Sequence, residues 1–245
     1  MQQGLTLTDL RRERYVKVND EYKAYSGGKK YAEESKIRIE VPIQAGVGQY
    51  TVDIKKQNIT NKREISLDRN DIFVPNFVGC FLALQSTTKP STEILMPYPA
   101  IADGTNPSVH EVGFENKDIF ALYNGRLTWL VDNGVAFQAF PTERFLKVPQ
   151  TQGAFVLDSS DAAVNEVIQS EWSVLDACDV MIPKFTIAGT RDHQVTINFD
   201  AAGLTFPVTE GYTPVLVFYM DGLLVKGGCE FYDQKNPNGP AVGQW

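Results

Sequence analysis

The sequence predicts an all-β protein that carries a helical arm at its N-terminus. From Lys36 onward, short segments alternate apolar and polar residues, which is the period of a half-buried strand. Turn signals recur about every 8–12 residues, and such spacing is typical of β-sandwiches and barrels. Residues 1–35 instead show the spacing of an amphipathic helix.

The arm over residues 1–35 begins with a helix-capping pattern, because Asp9 follows Thr6 by three residues. One apolar stripe follows at near-helical spacing: Leu10, Tyr15, Val18, Tyr22 and Tyr25. Seven basic residues stand against three acidic ones between Arg11 and Lys30. Ser26-Gly27-Gly28 predicts a flexible end. We therefore expect a basic amphipathic helix on an otherwise acidic chain.

The first strands follow directly after the arm. Alternation of apolar and polar residues predicts strands over Ile37–Ile43 and Tyr50–Ile54. The more uniformly apolar segment Asp71–Leu84 predicts one or two buried strands, with a break at Pro75-Asn76.

Two dipeptides in the middle of the chain predict a three-stranded meander. Asn124-Gly125 separates Phe120–Tyr123 from Leu127–Val131, and Asn-Gly is a strong signal for a type I′ hairpin turn. Asn133-Gly134 then leads into Val135–Phe137.

Beyond residue 150 a helix is expected from Ser159 or Ser160 to Ile168. Strand patterns return over residues 180–199, and Asp221-Gly222 predicts a second hairpin between Val215–Met220 and Leu223–Val225. This hairpin resembles the one at Asn124-Gly125. We therefore expect two β modules in tandem, over residues 36–150 and 151–245, with an exposed tail from Gln234.

The sequence contains no recognisable catalytic constellation, cofactor motif or metal-binding motif. The two histidines, His110 and His193, are far apart and have no ligand-like neighbours. The three cysteines are too few and too scattered for a disulfide framework. Asp158–Asp161 is better explained as a helix cap than as a calcium site. We expect a protein that is not an enzyme and needs no cofactor.

Charge and hydropathy narrow the partners and the location. The net charge of −7 argues against a protein whose main surface binds nucleic acid. Neither a secretory signal nor an apolar stretch of membrane-spanning length is present, so we expect a protein made in a cytoplasm.

Four segments resemble the double jelly-roll major capsid proteins of small icosahedral bacteriophages that enclose a membrane. These are Glu64–Pro75, the Leu122–Val131 hairpin, Thr142–Gln152 and the Val215–Val225 hairpin. The resemblance implies two tandem jelly rolls, homotrimers that form pseudo-hexagonal capsomers, and a place in the capsid shell of a virion assembled in the host cytoplasm.

The resemblance also implies partners. Neighbouring capsomers, minor capsid or penton proteins and an internal lipid membrane would contact the subunit, whereas sequence-specific nucleic acid would not. The arm would point toward the membrane or a neighbour. The expected contact residues are Leu10, Arg11, Arg12, Arg14, Lys17 and Val18. The helix packing on its own subunit is the alternative.

Two other functions remain open at this point. An accessory virion protein, such as a spike, fibre or head decoration, would share this composition, and the polar loops expected at residues 86–92 and 97–108 would suit it. A carbohydrate-binding β-sandwich would need facing carboxylates or an aromatic platform, and no such group stands out.

Overall fold

The computed structural model describes residues 7–54, 66–88, 93–96, 121–132, 134–145, 175, 178–181, 185–199 and 212–235. In chain order the elements are α1 (Leu7–Tyr25), β1 (Glu33–Pro42), β2 (Gln49–Asp53), β3 (Ile72–Ser86), β4 (Glu93–Met96), β5 (Arg126–Val131), β6 (Gly134–Pro141), a 3-10 helix (Thr142–Phe145), β7 (Asp179–Val180), β8 (Ile187–Ala188), β9 (His193–Asn198), β10 (Tyr212–Val225) and α2 (Cys229–Lys235). The predicted all-β sandwich with a long N-terminal helix is confirmed.

The strands form two antiparallel sheets. The first has the order β1-β10-β3, and β8, β7 and β4 pair in turn along the free edge of the long strand β3. The second has the order β2-β9-β5-β6. Side chains from the facing sides of the two sheets pack into a shared core.

The strand pairing is nested around the β5–β6 hairpin. Moving outward, β3 pairs with β7 and β8, β2 pairs with β9, and β1 pairs with β10. Both sheets therefore combine strands from before and after residue 150. The described strands form one sandwich and do not divide into two β modules over residues 36–150 and 151–245. Partners so distant along the chain are chosen by burial in the core, which local sequence patterns do not report.

The core confirms the alternation in the sequence. Ile37 and Ile39 of β1 and Val195 and Ile197 of β9 point into it and are at most 3% exposed. Trp129 lies at its centre, with its ring 4.8 Å from that of Phe185 and 6.0 Å from that of Phe218. Cys80, Cys178 and Cys229 are buried free thiols.

The predicted hairpin at Asn124-Gly125 is wrong. Ala121 and Leu122 are helical, and β5 pairs with β9 and β6 in place of an upstream partner. Gly125 is held by Thr142, whose hydroxyl oxygen accepts from the Gly125 amide at 2.8 Å and whose amide donates to the Gly125 carbonyl at 2.9 Å. Of the predicted meander only the β5–β6 hairpin is confirmed.

The predicted hairpin at Asp221-Gly222 is also wrong, because β10 runs straight through it. Asp221 pairs with Phe77 and Gly222 with Pro75, so that Asn76 is an extra residue in β3 and forms a β-bulge. The predicted break at Pro75-Asn76 is this bulge. The extra residue shifts the alternation of side chains along β3 by one position. Phe73 before the bulge and Val78 after it therefore both point into the core.

Several sequence predictions fall outside the described residues. These are the helix from residue 159 to Ile168, the Asp158–Asp161 cap, the loop over 97–108, His110 and most of the tail after Gln234. The start of that tail, as far as Lys235, belongs to the helix α2.

Candidate functional site: the N-terminal helix and its contacts

Helix α1 has charges that suit its ends and a well-formed C-terminal cap. Asp9 lies in the first turn and Lys23 in the last, where each favours the helix dipole. The Gly28 amide donates to the Lys23 carbonyl at 2.8 Å, and Gly27 has a φ of 60°. This is a Schellman cap, which needs a left-handed residue and so favours glycine.

The buried side of α1 packs on the outer surface of the first sheet. Val18 is fully buried and Tyr22 is 3% exposed. They join an apolar cluster supplied by β3, β10 and α2: Ile72, Val74, Leu223, Val225, Cys229 and Tyr232. Burial raises the pKa of the Tyr22 phenol. The helix is therefore part of the folded subunit.

The positively charged side chain of Arg14 contacts the sheet at the bulge. Its guanidinium donates to the carbonyl oxygens of Pro75 at 3.3 Å and Asn76 at 3.4 Å, and also to that of Met181. The residue is only 7% exposed, and burial lowers the pKa of its guanidinium. The bulge locally disrupts the strand ladder, and Arg14 donates to carbonyl oxygens there, of which that of Asn76 also accepts from the Met181 amide at 2.9 Å.

Arg11 forms a second polar contact one turn earlier. Its Nη2 lies 3.2 Å from Asp221 Oδ1 and 3.5 Å from Glu34 Oε1. The guanidinium also lies over the Phe77 ring, 5.8 Å from the centroid. Burial raises the pKa of the Asp221 carboxyl, although Arg11 acts in the opposite direction.

The remaining side of α1 faces solvent. Arg12 and Lys17 are exposed, and Lys17 forms an ion pair with Glu13 at 2.7 Å. Tyr15 is 39% exposed and Val16 is 47% exposed. A shallow depression on this side is lined by Asp9, Arg12, Glu13, Val16 and Lys17.

The structure corrects the predicted contact residues of the arm. Val18 and Arg14 are buried against the subunit's own sandwich, and Arg11 pairs with β10, so these three are not available to a membrane in this arrangement. Arg12 and Lys17 are exposed, and Leu10 is half-buried. The predicted apolar stripe is also divided, since Tyr15 and Tyr25 face solvent. The alternative, packing on the same subunit, describes this face of α1.

Sequence reasoning missed the sheet side of this contact. Asn76 and Asp221 have no motif of their own, and the unusual Pro-Asn in a buried strand is the one signal that points to a bulge. Asn76 and Asp221 come into position to contact α1 only when β10 pairs with β3.

The described residues hold no group of three or more His, Cys, Asp or Glu side chains that is placed to bind a metal ion. His193 is 1% exposed, and its Nδ1 accepts from the Trp129 indole at 3.4 Å. It is part of the aromatic core. No helix among the described residues is long and apolar enough to cross a membrane.

Neither a family model, nor a curated protein, nor a solved structure matches this chain.

Proposed function

We propose that this protein is a coat protein of an icosahedral virus and that its described strands form one jelly roll. The supporting observation is the nested strand order. If β7 and β8 are counted as one strand and β4 as an added edge strand, eight strands remain. Numbered 1 to 8 in chain order, they form two sheets with the orders 1-8-3-6 and 2-7-4-5. Eight strands rolled up in this way make a jelly roll, a fold on which many viral shells are built. A fold by itself does not determine function, so the coat function is tested through the assembly of the purified chain.

The jelly roll offers what a coat subunit needs. Its two sheets close around one apolar core, and the terminal helices cover the outer surface at one end of the first sheet. Side-by-side contacts between copies then fall on the remaining surfaces. The exposed side of α1, with Tyr15 and Val16, is one surface suited to contact with a neighbouring copy.

The number of copies in a capsomer depends on the number of jelly rolls per chain. Three chains with two rolls each would give the six-part outline of a pseudo-hexagonal trimer. With one roll per chain, the same outline needs six chains, and a trimer has three-part symmetry. We retain the homotrimer as the expected unit, with neighbouring trimers and minor capsid proteins as partners and the virion shell as location.

Light scattering of the purified chain tests the proposal. We expect a stable species near three times the 27.3 kDa of one chain, together with closed shells in electron micrographs at high protein concentration. Trimers that never form shells would favour an accessory virion protein. A strict monomer at high concentration, with no shells, would exclude the coat function.

A substitution on the exposed side of α1 asks whether that surface takes part. Val16→Asp is expected to weaken association and leave the unfolding transition unchanged, because Val16 makes no core contact. Thr8→Asp, also on an exposed part of the helix, is the matched control. Unchanged association in the Val16 variant would move the interface elsewhere on the sandwich.

A further inference from the structure

A second exposed surface lies where α1 ends and the chain turns into β1. Three lysines and two tyrosines of this turn meet a lysine from the turn after β10. We call this surface the lysine–tyrosine corner: Lys23, Tyr25, Lys29, Lys30, Tyr31 and Lys226.

The corner is held in one shape by main-chain and side-chain hydrogen bonds. The Lys30 amide donates to the Ser26 hydroxyl at 2.7 Å, and the Ala32 amide donates to Asn19 Oδ1 at 3.4 Å. Gly27 and Gly28 both have left-handed φ values, and a side chain on either would meet nothing within 4 Å. The turn therefore projects from the fold, and hydrogen bonds join it to the end of α1.

Positive charge from two distant segments converges here. The Lys30 ammonium lies against Gly227, so close that a methyl group on that glycine would be 2.5 Å from Nζ. Lys226 forms an ion pair with Glu33 at 2.7 Å. Lys23, Lys29 and Lys30 form no ion pair with any residue that the structure describes, so their charges are available to an anionic partner.

The aromatic rings of the corner are exposed. Tyr31 directly follows Lys30 and is 62% exposed, and Tyr25 lies two residues after Lys23 and is 46% exposed. Among the described residues, no large aliphatic side chain is exposed beside them. Insertion into a membrane gains its energy from buried apolar area. A corner whose exposed apolar groups are tyrosine rings is better suited to stacking than to insertion.

We propose that the lysine–tyrosine corner binds single-stranded nucleic acid without sequence preference. The lysines would neutralise phosphates, and the tyrosine rings would stack on bases, a combination that recurs in proteins that bind single strands. The net charge of −7 belongs to the whole chain and does not exclude a local basic surface. This inference goes beyond the coat function and does not depend on it.

The test measures binding of a fluorescent oligothymidylate to the full chain by anisotropy. We expect the affinity to fall as salt rises from about 50 to about 200 mM, because phosphate contacts release counterions. Lys29→Ala with Lys30→Ala should reduce the slope of log affinity against log salt by about 1.4, since each phosphate contact on a single strand contributes about 0.7. Arg12→Ala with Lys17→Ala removes the same charge elsewhere on α1 and should leave the slope nearly unchanged.

A second pair of variants separates stacking from charge. Tyr31→Ser should weaken binding about fivefold or more, because base stacking on an aromatic ring contributes about 1–3 kcal/mol. Tyr15→Ser changes a tyrosine of α1 that lies ten residues before Tyr25, and it should have little effect. Far-UV spectra and unfolding curves of all variants establish that the fold is kept.

Three outcomes would overturn the inference. These are no binding at low salt, an unchanged affinity in Tyr31→Ser, and binding to vesicles that contain phosphatidylserine without binding to the oligonucleotide. The last outcome would identify the corner as a lipid-facing surface. None of these results bears on the mass measurement that tests the coat function.

Discussion

Arg14 shows how a single residue couples a helix to a defect in a sheet. The guanidinium of Arg14 donates to the carbonyl oxygens of Pro75 and Asn76 at the bulge and to that of Met181. A buried polar group without a partner costs about 1–3 kcal/mol, so the cation and the bulge stabilise each other. An arginine in an amphipathic sequence is ordinarily assigned to solvent. Nothing in the local pattern around Arg14 distinguishes it from Arg12.

The first prediction compares these two arginines. Arg14→Met keeps the aliphatic bulk but removes the donor to three carbonyl oxygens, and we expect it to lower the free energy of unfolding by about 2–4 kcal/mol. Arg12→Met, at an exposed position, should change it by less than about 0.5 kcal/mol. Urea unfolding followed by circular dichroism measures both. Equal effects would mean that the buried contacts of Arg14 contribute nothing.

Gly222 explains at the residue scale why Asp-Gly does not turn here. A methyl group at this position would clash with the Val74 carbonyl oxygen and lie 2.8 Å from the Pro75 Cα. Glycine is required at this position because the main chain of β3 approaches closely. A hairpin turn would instead require glycine for its backbone conformation. The same dipeptide therefore has two structural uses that sequence alone does not separate.

The second prediction follows from that close approach. Gly222→Ala should lower the free energy of unfolding by about 3 kcal/mol, because main-chain atoms of β3 cannot move aside without breaking the ladder. Gly134→Ala is the control, since its nearest atom, the Val131 carbonyl oxygen, is 3.3 Å away. Thermal unfolding of the two variants side by side is the measurement. Comparable midpoints would show that the sheet accommodates the methyl group.

At the scale of elements, the sequence predicted strands well wherever one face of the strand is buried. In β1, β2 and β9 the apolar residues alternate as the sheet requires. The α1 helix was also predicted, but its buried face was not fully identified, because Tyr15 and Tyr25 are exposed where an apolar stripe was expected. Strand identity is encoded locally, whereas the partner of a strand or helix face is set by the rest of the fold.

The contact between α1 and the first sheet also makes the stability of the fold depend on pH. Burial raises the pKa of Asp221 in the folded state above its value in the unfolded chain. The folded state therefore binds the proton more tightly. The stability that this group contributes is fully present below the unfolded pKa and is lost as the pH rises through the folded pKa.

The third prediction applies this to Asp221→Asn. Near neutral pH the variant should be as stable as the parent protein or more stable, because a partly buried carboxylate no longer has to be desolvated. Its advantage should disappear as the pH falls through the folded pKa, where the parent carboxyl is protonated. Unfolding curves at a series of pH values give the comparison, with exposed Asp20→Asn as control. Greater loss of stability near pH 7 than at low pH would show that the Arg11 ion pair dominates.

The two ends of the whole sandwich differ. Because neighbouring strands are antiparallel, β1, β3, β6 and β9 run toward one end of the sandwich and β2, β5, β8 and β10 run toward the other. The short turns β5–β6 and β8–β9 lie at the other end, beside α1, α2 and the lysine–tyrosine corner.

At the scale of the whole molecule, the division predicted at residue 150 does not describe the strand pairing. Two similar dipeptides suggested two similar modules, yet neither is a hairpin turn in the structure. Strand β10 illustrates the reason, since it lies between β1 and β3 and completes a sheet that begins some 170 residues earlier along the chain. A connection of that length is invisible to any pattern read in a short window.

The last prediction distinguishes one sandwich from two modules. Residues 1–150 contain β1 to β6 without β9 and β10, the central strands of the two sheets, and residues 151–245 contain those strands without their neighbours. Neither fragment can bury its apolar faces, so we expect each alone to lack a cooperative unfolding transition. Mixed together after refolding, they should regain part of the transition of the intact chain, because strand pairing does not require the connection near residue 150. Calorimetry of each fragment and of the mixture provides the measurement. If the fragment of residues 1–150 or that of residues 151–245 unfolds cooperatively by itself, the nested sandwich is not the folding unit and two tandem modules are.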